Sequence, residues 1–154
     1  MSYARGTTTT DDRTRSEIET MLLRYGADEF GYVTRRDAAV IGFLYRGLRF
    51  EMQVPLPDPD DPAFTRSPKQ RSARSKTAAQ DAYLAERRRR WRALCLVIKA
   101  KLVAIDDHVA TFEAEFLPYL VTATGQTVAQ RMTPLLEHAV ATGQPLALPA
   151  PPEA

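Results

Sequence analysis

Leu48-Arg49-Phe50-Glu51-Met52-Gln53-Val54-Pro55-Leu56 alternates without a break: Leu48, Phe50, Met52, Val54 and Leu56 are apolar, while Arg49, Glu51 and Gln53 are polar. A period of two places the apolar set on one face of a β-strand and the polar set on the other. The residues before it extend the pattern to a sheet. Ala39-Val40-Ile41-Gly42-Phe43-Leu44-Tyr45 is too apolar throughout to be an edge strand with one wet face, and Phe30–Arg35 is rich in aromatic and β-branched residues. Arg36-Asp37 and Arg46-Gly47 offer two tight connections, so the three strands are predicted to form an antiparallel meander. Three strands bury too little alone, and one face must pack on helices.

Upstream, Ser16-Glu17-Ile18-Glu19 opens a helix with a serine cap and acids at the positive end of the dipole. Ile18, Met21, Leu22 and Tyr25 recur at helical spacing and Gly26 closes the element, predicting a short helix over Arg15–Tyr25. Residues 1–14, polar and threonine-rich, read as a flexible N-terminus.

Downstream, the prolines at 55, 57, 59 and 62 end the sheet, because proline cannot donate to a ladder. The stretch at about 57–77 is predicted to be a flexible basic loop. A long helix follows, roughly Ala78 to Asp106, with Leu84, Trp91, Leu94, Cys95, Ile98, Leu102 and Ile105 on one face. A helix at about Val109–Thr122, kinked at Pro118, and a last helix over Val128–Ala141 complete a single α+β domain at 15–142. Residues 143–154 form a proline-rich tail.

Composition narrows the function. At 154 residues, 44% hydrophobic and 26% charged, the chain fits one ordinary globular domain. Cys95 is the single cysteine, so neither an intrachain disulfide nor a cysteine-rich metal site can form. No apolar run approaches the roughly 20 residues that span a bilayer, and the polar start lacks a signal core. A cytoplasmic protein is expected. No glycine-rich phosphate loop, no G-x-S-x-G and no H-E-x-x-H is present, which argues against an enzyme. Asp106-Asp107-His108 with Glu113 and Glu115 is the only cluster resembling a metal site. Its spacing fits the end of one helix and the cap of the next better than a set of ligands. No metal and no cofactor is expected.

Charge is distributed unevenly. Residues 1–62 hold 8 Lys/Arg against 11 Asp/Glu, residues 63–104 hold 12 against 2, and residues 105–154 hold 1 against 6. The basic stretch has two parts. Arg66, Lys69, Arg71, Arg74 and Lys76 fall in the loop, while Arg87–Arg90, Arg92, Lys99 and Lys101 fall on the long helix. At 100° per residue Arg88, Arg92 and Lys99 share a stripe beside the apolar face, Arg90 and Lys101 border its other side, and Arg89 projects into solvent. Arginine forks match phosphate oxygens. Arg35, Arg46 and Arg49 at the hairpin ends could add to the same groove. Tyr32, Phe43, Tyr45 and Trp91 are aromatics on which bases could stack, although sheet aromatics more often belong to a core. The competing reading is charge pairing, within the chain or between subunits, with the acidic C-terminal third as the partner.

The segments Ser16–Ala27, Val40–Phe43, Arg90-Trp91-Arg92-Ala93-Leu94 through Leu102, Phe112–Leu117 and Gly125–Val128 resemble those of a family of small, uncharacterised phage and prophage proteins. The resemblance implies a viral setting, with a host cytoplasm as the location, and carries no functional residue. In outline only, a β-meander followed by a long basic helix is similar to the β-β-β-α core of Rad52-like and Redβ-like annealing proteins. The expectation is a non-catalytic, nucleic-acid-binding accessory protein, a homo-oligomer that contacts DNA, single-stranded DNA included, in replication or recombination. The alternative is a protein-interaction module, such as an inhibitor of a host factor or a small virion component.

Overall fold

The computed structural model describes residues 3–67, 69 and 72–148, with side chains from residue 11 onward. Its centre is the meander: β1 (Glu29–Thr34), β2 (Ala38–Tyr45) and β3 (Leu48–Pro55), antiparallel in the order β1-β2-β3. The register pairs Ala39 with Val54, Ile41 with Met52 and Phe43 with Phe50, and all six of these side chains are buried on one face. Arg46 (φ 52°) and Gly47 (φ 75°) connect β2 to β3. Positive φ at both central residues is the twist-matched two-residue hairpin turn.

Two helices lie on the buried face. α1 (Tyr3–Tyr25) contributes Ile18 and Leu22, and α3 (Lys76–Asp106) contributes Trp91, Cys95, Ile98 and Leu102. Ser75 caps α3, its Oγ accepting from the Ala78 amide at 3.2 Å. The result is a two-layer α+β fold with its core between the sheet and these helices.

Three boundaries differ from the sequence reading. The first helix starts at Tyr3, not Arg15, so most of the stretch read as a flexible N-terminus is helical. Thr7–Thr10 and Asp11-Asp12 favour caps and turns locally, but the helix is held further along by tertiary contact, with Asp11 only 4% exposed.

In the basic segment after β3, the described residues include a short helix and a bridge rather than loop alone. Asp61 caps α2 (Pro62–Thr65), and Phe64 meets the Tyr83 ring of α3 edge-on at 5.9 Å. A bridge joins Arg66 to Ala73, backed by the Arg74 amide donating to the Thr65 carbonyl at 2.8 Å.

The third difference is the helix expected over Val109–Thr122. It is reduced to α4 (Phe112–Phe116) and a 3₁₀ turn at Leu117–Tyr119. His108 turns the chain with φ 57°, Thr111 caps α4, and Pro118 interrupts continuation. Phe112 and Phe116 close one end of the core against Tyr45 and Phe43, with ring centroids at 4.3 and 5.8 Å. Leu120 then bridges to Phe50 on the outer edge of β3. α5 (Val128–Thr142) follows, opened by a capping box between Thr127 and Gln130 and closed by Gly143 in the left-handed region.

Candidate nucleic-acid interface

Among the described residues, the cationic positions singled out from the sequence do not form one groove. Arg35 and Arg49 line the open face of the sheet, whereas α3 packs on the opposite face. The core therefore separates Arg35 and Arg49 from the helical cations. Arg49 lies 2.6 Å from Glu51, and Arg46 folds its guanidinium over the Tyr45 ring at 5.1 Å.

On α3 the structure sorts the arginines by partner. Arg87 pairs with Asp11 of α1 at 3.0 Å. Arg89 and Arg90 both bond Glu86, at 2.8 and 2.9 Å, and Arg90 also donates to the Pro55 carbonyl at 2.8 Å. Those bonds hold the Glu86 carboxyl down at about 2. Arg92 reaches Glu17 of α1 at 2.8 Å, and Lys101 reaches Glu115 of α4 at 2.9 Å. Internal pairing is thus extensive, but its acids come mainly from α1 and from α3 itself. Among the described residues only Glu115 represents the acidic C-terminal third in these pairs.

What remains is a smaller set. Arg88 and Lys99 are exposed on the stripe beside α1, and Arg92 on the same stripe keeps half of its side chain in solvent. Arg66, Lys69, Arg74 and Lys76 lie in the short bridged segment and at the start of α3. None of Arg66, Lys69, Arg74, Lys76, Arg88 and Lys99 has a carboxylate within 4.0 Å among the described residues. Arg71 lies outside the described residues. Trp91 anchors the ridge from below, buried at 1% exposure.

The aromatics narrow further. Phe43 and Trp91 are core residues, and Tyr45 packs on Tyr25 and Phe112. Tyr32 alone of the four is well exposed, and it carries the Arg15 guanidinium 4.0 Å from its ring centroid. The same Arg15 guanidinium lies 6.0 Å from the Trp91 ring of α3, and Tyr32 pairs across the ladder with the buried Ile41, so its ring is on the helix-facing side of β1 with Arg15 already stacked on it.

The open face of the sheet forms a groove of about 800 Å³ whose floor includes the cross-strand pair Gly31 and Gly42. Arg35, Arg49 and Glu51 are at its floor and rim, with Tyr119 and Thr127 on the wall. Asp106 and Asp107 end α3, and Glu115 is engaged by Lys101. Among the described residues no group of three His, Cys, Asp or Glu side chains is placed to hold a metal ion. No described helix is long and apolar enough to cross a membrane.

Comparison with known proteins leaves the geometry to speak alone: no family model matches the chain, and no curated protein and no solved structure matches it.

Proposed function

We propose that this chain is a non-catalytic nucleic-acid-binding accessory protein of phage or prophage type, working in the cytoplasm of a host cell in replication or recombination. Its contacts are to phosphates, independent of sequence. The single observation that carries the reading is the set of cations with no carboxylate within 4.0 Å among the described residues, Arg88 and Lys99 on a core-anchored helix and Arg66, Lys69, Arg74 and Lys76 at its start. A rigid cationic stripe with an adjoining basic strap suits a phosphodiester backbone, because backbone contacts need charge and reach rather than base-edge geometry. Arg92 joins the stripe when its half-exposed pair with Glu17 opens, a rearrangement that exposed ion pairs resist only weakly.

Fluorescence anisotropy with single- and double-stranded oligonucleotides tests the reading. The variant of choice is Arg88→Glu/Lys99→Glu, since Arg87, Arg90 and Lys101 are tied into the fold. Binding by the natural chain and a loss of tenfold or more in the variant is the expected result, at roughly 1.4 kcal/mol per tenfold.

A second reading, a protein-interaction module, is favoured by α5. Among the described residues its apolar side is left uncovered, with Leu135, Leu136 and Val140 exposed at 42%, 55% and 77%. A capped 15-residue helix with no buried residue is marginal in isolation.

A further inference from the structure

The outer face of α3, opposite the core, carries Arg89, Ala93, Leu96, Ala100, Val103 and Asp107, with Asp107 at the C-cap. These positions alternate in spacing by four and three, the repeat of a coiled-coil seam. All six are exposed, and Leu96 and Val103 have about half of their surface in water, at 51% and 49%. Val97, at 43%, widens the apolar strip. A lone exposed leucine needs no explanation, but a seam of this regularity on the solvent side of a helix does.

The order of residues in the seam identifies its occupant. The spacing reads the same in both directions about Ile98, so a second α3 laid antiparallel on the first meets it in register. Ala93 then faces Val103 of the second copy, and Leu96 faces Ala100 of the second copy. Each layer sets a small side chain against a large one, which interdigitating helices need. At each end Arg89 faces Asp107 of the second copy, a cation against an anion. Arg89 bonds Glu86 through Nε and Nη2, and its Nη1 is left to reach across. A parallel pairing would instead stack like on like, Arg89 on Arg89 and Leu96 on Leu96.

We infer that this face is the interface of an antiparallel homodimer, built on the α3 seam from Arg89 to Asp107. Such a contact is isologous, with each residue of the seam meeting its counterpart twice across one two-fold axis. The seam is about 27 Å long at 1.5 Å per residue. A single helix pair of that length falls at the small end of specific interfaces, so the dimer forms at micromolar rather than nanomolar concentration. The two-fold axis stands normal to the plane of the paired helices. It therefore brings Arg88 and Lys99 of both copies to the same side of the pair, doubling the cationic stripe. The dimer itself does not depend on the nucleic-acid reading.

Sedimentation equilibrium of the full chain without nucleic acid, over a micromolar series, is the test. The natural chain is expected to pass from monomer to dimer, and Leu96→Glu to remain monomeric. Arg89→Asp and Asp107→Arg should each weaken the dimer severalfold, and the two together should restore it, since the swap rebuilds both end pairs. Circular dichroism should be unchanged in all of them, as every substituted position is exposed. A natural chain that stays monomeric throughout overturns the proposal. So does a double variant no better than the single ones, or a dimer that survives Leu96→Glu but is lost in Leu135→Glu, which would place the contact on α5. Because no oligonucleotide is present, failure here leaves the phosphate-binding reading standing, and failure of that reading leaves the dimer standing.

Discussion

Asp11 of α1 and Arg87 of α3 form an ion pair at 3.0 Å in which the aspartate side chain is only 6% exposed. Asp11 Oδ1, Arg87 Nε and the Trp91 indole nitrogen are all buried beside this pair without a hydrogen-bond partner among the described residues. The pair fixes where the first half of α1 lies against α3. It does so with incomplete hydrogen bonding, and a buried pair of that kind orients more than it stabilises.

Asp11→Ala should therefore destabilise the fold by about 1–3 kcal/mol, because Arg87 is left partly buried and unpaired. Asp11→Leu combined with Arg87→Met should recover most of that loss, since neither charge then needs compensation. Urea unfolding of the single and double variants measures both. Additive losses in the double variant would show that the two residues do not act as a pair.

This contact also marks the limit of what the sequence made legible. The alternation from Phe50 to Leu56 located the buried face of β3, while Leu48 at the hairpin end of the same pattern is 52% exposed, and Trp91, Cys95, Ile98 and Leu102 located that of α3, because burial writes itself into local periodicity. The pairing of Asp11 with Arg87 and of Glu17 with Arg92 follows no local period. It arises only when α1 docks on α3, so the sequence overstated how many arginines remain free for an outside partner. Phe64 likewise carried no local sign of its contact with Tyr83, and the basic segment read as a loop. The apolar side of α5 was visible as a periodicity, but its exposure was not, since the same pattern serves a core and an interface alike.

Cys95 is fully buried, and burial pushes its thiol above the ordinary range, with the nearby Glu17 carboxylate adding to the effect. The thiolate is the reactive form. A thiol-specific reagent should leave the native chain unlabelled at neutral pH and label it at one site after unfolding in denaturant. Rapid labelling of the native chain would contradict the packing of Cys95 against the sheet.

Glu86 sets a pH dependence. Its carboxyl accepts from Arg89 and Arg90 and is lowered from the usual 4.5 to about 2. A depressed folded value means that the contribution to stability is fully present above about 4.5 and is lost as pH falls toward about 2. The pair is partly in solvent, so the effect is modest. The fall in urea midpoint across that window should be smaller in Glu86→Gln than in the natural chain. An identical fall in both would remove Glu86 as a contributor.

The α3 stripe itself is tested most directly by salt. If Arg88, Lys99, Arg92 and the strap cations engage six phosphates, the affinity for an oligonucleotide should fall by roughly 10³ between 50 and 200 mM salt. The Arg88→Glu/Lys99→Glu variant should bind more weakly and with a shallower slope, because fewer counterions are released. A titration that shows no binding at low salt, or an affinity that stays flat across that range, contradicts the account.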